Sequence, residues 1–327
     1  MTAPQPAGSA SPEPKGTVVV EAKKIPLAFY LEYGLLRVMS TLARPFSLRA
    51  ASNFGALVGG LGWRPFAIRA DRVYRAVRAC FPELSEERVR AIARESYRGL
   101  GRIAMEIIWL SRAERSQVEE LFVEPEGWEQ LEAAHAEGRG VIVVMAHFGN
   151  WELAAAYMTM RGLPLDGIAM HMANPLSDGF ITRTRTRLGI NVVFDEHAVR
   201  RIPKALKEGH VVALVSDQGA KGLAGTFVNF FGRPAKTPRG AAVFAQRNRL
   251  PLLYVAAVRQ PDNRYRFHVT PVPVADTGDR DRDIDATVQN YTDVIEAYVR
   301  RYPEQYFWQH RRWKRQPPDT PPHLREP

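Results

Sequence analysis

Hydrophobic positions in the first third of the chain recur at helical spacing. Those in the remainder fall into short β-branched runs separated by helical stretches. Ile25 to Val38 is largely apolar, and Phe54 to Trp63 is apolar and glycine-rich. Neither reaches the roughly 18 uninterrupted apolar residues of a membrane-crossing helix. Glu32 and Arg37 interrupt the first, and Arg44 and Arg49 lie between the two. The pair fits two readings. One is a helix pair lying in a membrane interface, with Lys23, Lys24, Arg37 and Arg44 near lipid phosphates. The other is an ordinary helical layer packed on the domain. From 66 to 120 the spacing is again helical. Tyr74, Val77 and Phe81 share a face before Pro82, and Val89, Ile92, Ala93 and Tyr97 open a second amphipathic stretch that runs to Leu110.

Beyond about residue 127 the pattern changes. Gly140–Ala146, Val192–Phe194, His210–Ser216, Leu252–Val258 and Tyr265–Thr270 read as strands. Helices are predicted over 150–161, 176–188, 198–208 and 238–248, and a last one from Asp283 to Tyr302 ends before Pro303. Strands alternating with helices predict an α/β sheet with helices on its faces. Residues 1–16 are rich in Pro, Ala, Ser and Gly without periodicity and are expected to form a disordered tail. They do not form a signal peptide, because no basic start leads into an apolar stretch. The expected organisation is this tail, a helical membrane-associated region over 17–120, an α/β core over 121–316 and a Pro-rich tail over 317–327.

Composition narrows the picture only in part. The 327 residues are 45% hydrophobic and 24% charged, a globular balance. A single cysteine, Cys80, excludes a disulfide scaffold and a cysteine-rich zinc module. The net charge of +10 favours an anionic partner: nucleic acid, an anionic membrane face, an acidic carrier protein or a phosphate-bearing substrate. Basic residues interleaved with Trp308 and Trp313 in the terminal HRRWKR segment would suit nucleic acid. That segment is short, however, and no recognised nucleic-acid motif surrounds it. Gly99 to Ala104 matches the dinucleotide pattern G-x-G-x-x-A, but it does not follow a strand, so its context fails.

The strongest local signal is Ala146-His147-Phe148-Gly149-Asn150-Trp151-Glu152, directly after the best strand. In open α/β sheets ligands bind beyond the carboxyl ends of the strands. On one continuous helix His147 and Glu152 would stand about 140° apart. With His147 in a turn and Glu152 in the first helical turn, the chain can fold back, Gly149 permitting the tight path. The carboxylate then accepts the imidazole N–H. Such a pair supplies a general base, since the carboxylate fixes the tautomer and steadies the imidazolium. A hydrogen-bonded structural pair is the other reading of the same residues.

The HFGNWE hexad resembles the H-x4-D/E box of the glycerolipid acyltransferase superfamily, and its Glu form resembles the lipid A late acyltransferase branch. Further blocks follow in that branch's order. Asn174-Pro175-Leu176 with Asp178, then Arg183, Arg185 and Arg187, resembles its NPL-x-D…R-x-R-x-R segment. Ser216-Asp217-Gln218-Gly219 resembles its strand-end block. Phe231-Gly232 with Ala235 and Thr237-Pro238-Arg239-Gly240 resembles its F-G-x-x-A-x-T-P-x-G block. Pro303 to Lys314 resembles its terminal PEQY-x-W-x-HRR-[FW]-K block. The resemblance covers roughly residues 25–316.

It implies a mixed sheet flanked by helices, with an N-terminal helical membrane-associated layer. It implies fatty acyl transfer from an acyl carrier protein, or acyl-coenzyme A, to a glycolipid hydroxyl at the cytoplasmic face of the inner membrane. His147 would be the base, oriented by Glu152, with no covalent acyl-enzyme. No G-x-S-x-G elbow stands against this, and a thioester needs a base, positioning and oxyanion donors rather than a metal or cofactor. Substrate contacts are expected at Asn150, Arg183, Arg185, Asp217, Gly232, Arg239 and Arg311. Arg183, Arg185 and Arg187 step by about 200° on a helix and so cannot all face one pocket. Asp217 shares the sheet edge of His147, where it would cap a helix or anchor Arg183. An anion at Arg239 would meet backbone N–H groups of the helix start. His171 and His197 are expected to be ordinary polar residues. The alternatives are an acceptor of another kind, a mannosylated or amino-acid-bearing lipid, or a non-catalytic anionic-lipid-binding protein.

Overall fold

The computed structural model describes residues 25–43, 45–220 and 224–327. The expected tail over 1–16, together with Lys23, Lys24 and Arg44, therefore lies outside the described residues. Four helices come first: α1 (Leu27–Leu42), α2 (Leu48–Trp63), α3 (Ala70–Cys80) and α4 (Glu86–Leu110). Ser47 and Ser85 cap α2 and α4, accepting the backbone N–H of Ala50 and Arg88. α2 and α4 cross at glycines. A Cβ on Gly101 would stand 2.0 Å from the Gly55 carbonyl oxygen, and one on Gly59 would stand 2.2 Å from that of Tyr97. The Gly99–Ala104 pattern is thus inside a helix, and its second glycine serves close helix packing.

The rest of the chain alternates. It runs α5 (Arg115–Glu119), β1 (Phe122–Glu126), α6 (Trp128–Ala136), β2 (Val141–Met145), α7 (Trp151–Met160), β3 (Leu165–Ala169), α8 (Pro175–Arg187), β4 (Ile190–Phe194), α9 (Asp195–Lys207) and β5 (Val211–Val215). A hairpin follows, β6 (Gly225–Phe230) and β7 (Arg233–Pro238), then α10 (Gly240–Asn248), β8 (Leu252–Arg259), β9 (Tyr265–Val272) and α11 (Arg280–Arg301). The main sheet has the order β1-β9-β8-β2-β5-β3-β4. It is parallel from β8 to β4, and β9 runs antiparallel to β8. β2 is central and wholly buried. Ile142 and Val144 pack into one core cluster, and Val141, Val143 and Met145 into the other. Helices on both faces explain why this strand reads as one continuous apolar run.

The fold is the expected mixed α/β sheet flanked by helices. Two of its strands carried weak sequence signals. β1 reads FVEPE, and its proline and glutamates suit only an edge. β3 reads LDGIA, with Asp166 tied to Arg201 and His210. The N-terminal helices leave an apolar surface. Among the described residues, thirteen of the seventeen exposed large apolar side chains fall between 27 and 68, including Leu27, Leu31, Leu35, Leu57 and Phe66. α1 is held to α8 by Asn174 Nδ2 donating to the Phe29 carbonyl at 3.0 Å and Ser177 Oγ donating to Glu32 Oε1 at 2.9 Å. No described helix is long and apolar enough to cross a membrane. The Pro-rich end folds back, with Arg233 Nη1 donating to the carbonyls of His323 and Arg325.

Candidate active site

β2 and β5 are neighbouring parallel strands in register, Met145 opposite Val215. Two residues beyond each end stand His147 and Asp217. The register brings them together: His147 Nδ1 and Asp217 Oδ1 are 2.8 Å apart, and the same oxygen accepts the His147 backbone N–H at 3.0 Å. The Asp217 side chain is 2% exposed and that of His147 is 25% exposed. Burial pushes the Asp217 carboxyl up, but the His147 charge, its two hydrogen bonds and the charge of Arg312 together hold it below the usual aspartate value. The imidazole lies against Trp151 and Phe307, with ring centroids 4.8 and 5.9 Å away. Nε2 has no protein partner among the described residues. Nearby His310 is pushed down to about 4 by burial, with the charges of His147, Arg312 and Arg72 opposing that of Asp217.

The turn that presents His147 is held from several sides. Gly149 has φ +58°, and a Cβ there would stand 2.1 Å from the Ala257 carbonyl oxygen. The Phe307 N–H donates to the His147 carbonyl, and the Gly149 N–H to that of Gln305. Gln305 pins the backbone of Arg259 through both its amide oxygen and nitrogen. The terminal PEQYFW segment therefore lies along the His147 turn, Pro303–Gln305 as a 3-10 turn and Tyr306 bridging antiparallel to Phe148. His147 opens onto a cavity of about 350 Å³. α4 contributes Glu95, Ser96, Gly99 and Arg102 to its wall, and Trp151, Arg259, Gln260, Asn263 and Tyr302 complete much of the rest.

Glu152 is not at His147. Its carboxylate takes a two-pronged contact from Arg185, Nε to Oε2 at 2.9 Å and Nη2 to Oε1 at 2.6 Å, and Oε1 accepts Trp151 Nε1–H at 3.1 Å. Asn150 is the N-cap of α7, so Glu152 already lies in the first helical turn and faces α8 rather than the turn behind it. The contact expected from the hexad is replaced by one with Asp217. Among the described residues Glu152 and Arg185 border a separate apolar slot of about 50 Å³, with Met145, Ala155, Gly167 and Ala213.

The other expected contact residues disperse. Asn150 is fully buried: its Oδ1 accepts the Leu153 N–H and its Nδ2 donates to Glu106. The three arginines of α8 diverge as their spacing requires. Arg185 pairs with Glu152, Arg187 Nη2 caps the end of α4 at the carbonyls of Leu110 and Ala113, and Arg183 is exposed. Gly232, with Phe231, makes the two-residue turn between β6 and β7 at positive φ. Arg239 pairs with Asp281 and Asp285 at the start of α11. Arg311 pairs with Glu326, while its neighbour Arg312 is buried and donates to the Lys236 carbonyl and Thr237 Oγ1.

Glu106 and its partner Arg259 escaped sequence reasoning altogether. Glu106 on α4 is 0% exposed and accepts from Arg259 Nη1 at 2.6 Å, Arg259 Nη2 at 2.8 Å, Tyr265 Oη at 2.6 Å and Asn150 Nδ2 at 2.7 Å. Burial raises its carboxyl, but the Arg259 charge and these hydrogen bonds bring it below the usual value. A glutamate inside an otherwise apolar helical stretch, Met105-Glu106-Ile107, was the available signal.

A mixed α/β sheet with an H-x4-E box opening just past its central strand defines an acyltransferase of the glycerolipid type. The chain belongs to the bacterial lipid A biosynthesis acyltransferase family, which it matches over residues 20–315. It is 29% identical over 298 residues to the lipid A biosynthesis lauroyltransferase of Escherichia coli, covering 89% of this chain and 93% of that one. It is 32% identical over 267 residues to the lipid A biosynthesis palmitoleoyltransferase of the same organism, covering 80% and 84%. Likeness to the phosphatidylinositol mannoside acyltransferase of Mycobacterium tuberculosis is 28% over 124 residues, 36% of this chain and 39% of that one.

Proposed function

We propose that this O-acyltransferase moves a fatty acyl chain from an acyl carrier thioester to a hydroxyl of a lipid A precursor or related glycolipid, with His147 as general base. The observation that carries the reading is the pairing of His147 Nδ1 with the buried carboxylate of Asp217, beside a cavity. A carboxylate at Nδ1 keeps the proton there and leaves Nε2 with its lone pair. Nε2 takes the acceptor's hydroxyl proton as its oxygen attacks the thioester carbonyl. The tetrahedral intermediate then collapses, the C–S bond breaks, and the imidazolium returns the proton to the leaving thiolate. Asp217 stabilises the transient imidazolium and stays ionised. Glu152 and Arg185 act one step back, holding α8 against α7.

The acceptor class follows the relatives of nearly full coverage. A mannosylated lipid is the second reading, supported by the shorter likeness to the mannoside enzyme. The exposed apolar residues of 27–68 support work at a membrane face, with those helices lying in the interface. In this reading the donor is carried by an acyl carrier protein or coenzyme A, and the enzyme works at the cytoplasmic face of the inner membrane.

Mass spectrometry of membrane lipids from cells with wild-type protein, His147→Ala or none tests the reading. A lipid heavier by one acyl chain, made only with wild type, is expected. The same product from His147→Ala would remove the base.

A further inference from the structure

We propose that the guanidinium groups of Arg102 and Arg259 form a phosphate-binding subsite in the wall of the cavity beside His147. The inference rests on the acyl-transfer reading and adds a substrate chemistry to that cavity. Arg102 reaches the wall from α4 and Arg259 from the end of β8. Arg259 is set in place before any ligand arrives. Glu106 holds its fork at 2.6 and 2.8 Å, Ser52 Oγ accepts Nη1–H at 3.3 Å, and its guanidinium lies 4.7 Å over the Tyr265 ring.

Arg102 is different. Its Nη1 donates to Asn53 Oδ1 at 3.0 Å, and among the described residues no carboxylate lies within ion-pair distance of it. Burial and the like charges of Arg259 and Arg98 disfavour its cationic form and outweigh the opposite charges of Glu106 and Glu95. Two guanidinium groups therefore line one cavity beside His147, and a dianion there could be met by both. The two acids that also line the cavity are already engaged: Glu95 faces Arg98 at 3.2 Å, and Glu304 faces Arg88 at 4.0 Å. A planar fork suits phosphate oxygens, and the cavity volume lies in the range of small-molecule sites.

The phosphate has two sources, a monoester on the acceptor sugar or the phosphopantetheine arm of the donor. Steady-state kinetics on the full chain in mixed micelles separates them. Each substrate is paired with a counterpart lacking the phosphate: an acyl-glucosamine phosphate and its dephosphorylated form, and acyl-phosphopantetheine and acyl-pantetheine. Arg102→Gln should raise KM for one phosphate-bearing substrate by about 10- to 100-fold, with kcat changed less than about threefold and the counterpart unaffected. The pair that shows the difference names the source. Asn53→Ala removes the same hydrogen bond and keeps the charge. If it matches Arg102→Gln, or if Arg102→Gln leaves every KM unchanged, the subsite is overturned. Activity retained in His147→Ala would overturn the catalytic reading instead. In that case protection by inorganic phosphate against thermal unfolding, lost in Arg102→Gln, supports the subsite on its own, and equal protection of both proteins overturns it.

Discussion

His147 and Asp217 are 70 positions apart in the chain, and their side chains meet at 2.8 Å because two parallel strands end in register. The pairing follows from sheet geometry alone: residues two beyond the ends of adjacent strands emerge side by side on one edge. A buried carboxylate there fixes which imidazole nitrogen carries the proton.

Asp217→Asn should therefore be a severe but structurally mild substitution. An asparagine amide can offer its own N–H to Nδ1, which moves the ring proton to Nε2 and removes the base. A fall in kcat of about 10²- to 10⁴-fold is expected, with KM nearly unchanged. Steady-state kinetics with circular dichroism as the fold control measures it. Wild-type turnover in this variant would show that the tautomer is fixed some other way.

Glu152 should behave as an ion-pair partner and not as an orienter. Removing it leaves Arg185, three-quarters withdrawn from water, without its carboxylate. Glu152→Ala should lower stability by about 2 kcal/mol, less than a fully buried broken pair because Arg185 is partly exposed. A double-mutant cycle with Arg185→Met should show strong coupling in denaturant melts. Independent effects, or a kcat loss in Glu152→Gln as deep as that of Asp217→Asn, would return Glu152 to the imidazole.

The central strand, the alternation of strands and helices, and the sheet-edge position of His147 were all legible in the sequence, because β2 is buried on both faces and its apolar run is unbroken. Asp217 could be placed on the same edge. Its partner could not, since strand register is a tertiary property: HFGNWE offered a nearby carboxylate, and Asn150 capping α7 turned that carboxylate toward Arg185. Arginines drew notice where they clustered, at 183–187 and 311–315. Arg102 and Arg259 are isolated in sequence and come to one cavity only in the fold. β1 and β3 were hidden by a proline and a buried aspartate, each a poor strand former that tertiary contacts override.

Glu106 makes the stability of the cavity wall pH-dependent. Its folded pKa lies below the ordinary glutamate value, because the Arg259 charge and hydrogen bonds from Arg259, Tyr265 and Ser52 outweigh burial. A depressed carboxylate contributes stability that is full above its unfolded pKa, about 4.3, and is lost as pH falls through the folded value. Glu106→Gln removes that contribution. Thermal melts from pH 7 to 3 should show wild type well above the variant at neutral pH, with the gap closing below about pH 4. A gap that stays constant, or widens in acid, would mean Glu106 is protonated in the native protein.

The exposed leucines of α1 and α2 make the membrane reading testable apart from catalysis. Leu31, Leu35 and Leu57 are each more than 60% exposed, so charging them should change folding stability by only about 0.5 kcal/mol each. In the interface each leucine withdrawn from water contributes about 1.5 kcal/mol. The triple variant Leu31→Glu, Leu35→Glu, Leu57→Glu should therefore bind anionic vesicles about 100-fold or more weakly, the new charges adding repulsion. Cosedimentation with phosphatidylglycerol vesicles measures this. Wild-type binding should weaken in part with salt, since Arg37, Arg49 and Arg64 are exposed beside the same helices. Undiminished binding by a folded triple variant would assign these side chains to protein contacts and leave the membrane to be met by another surface.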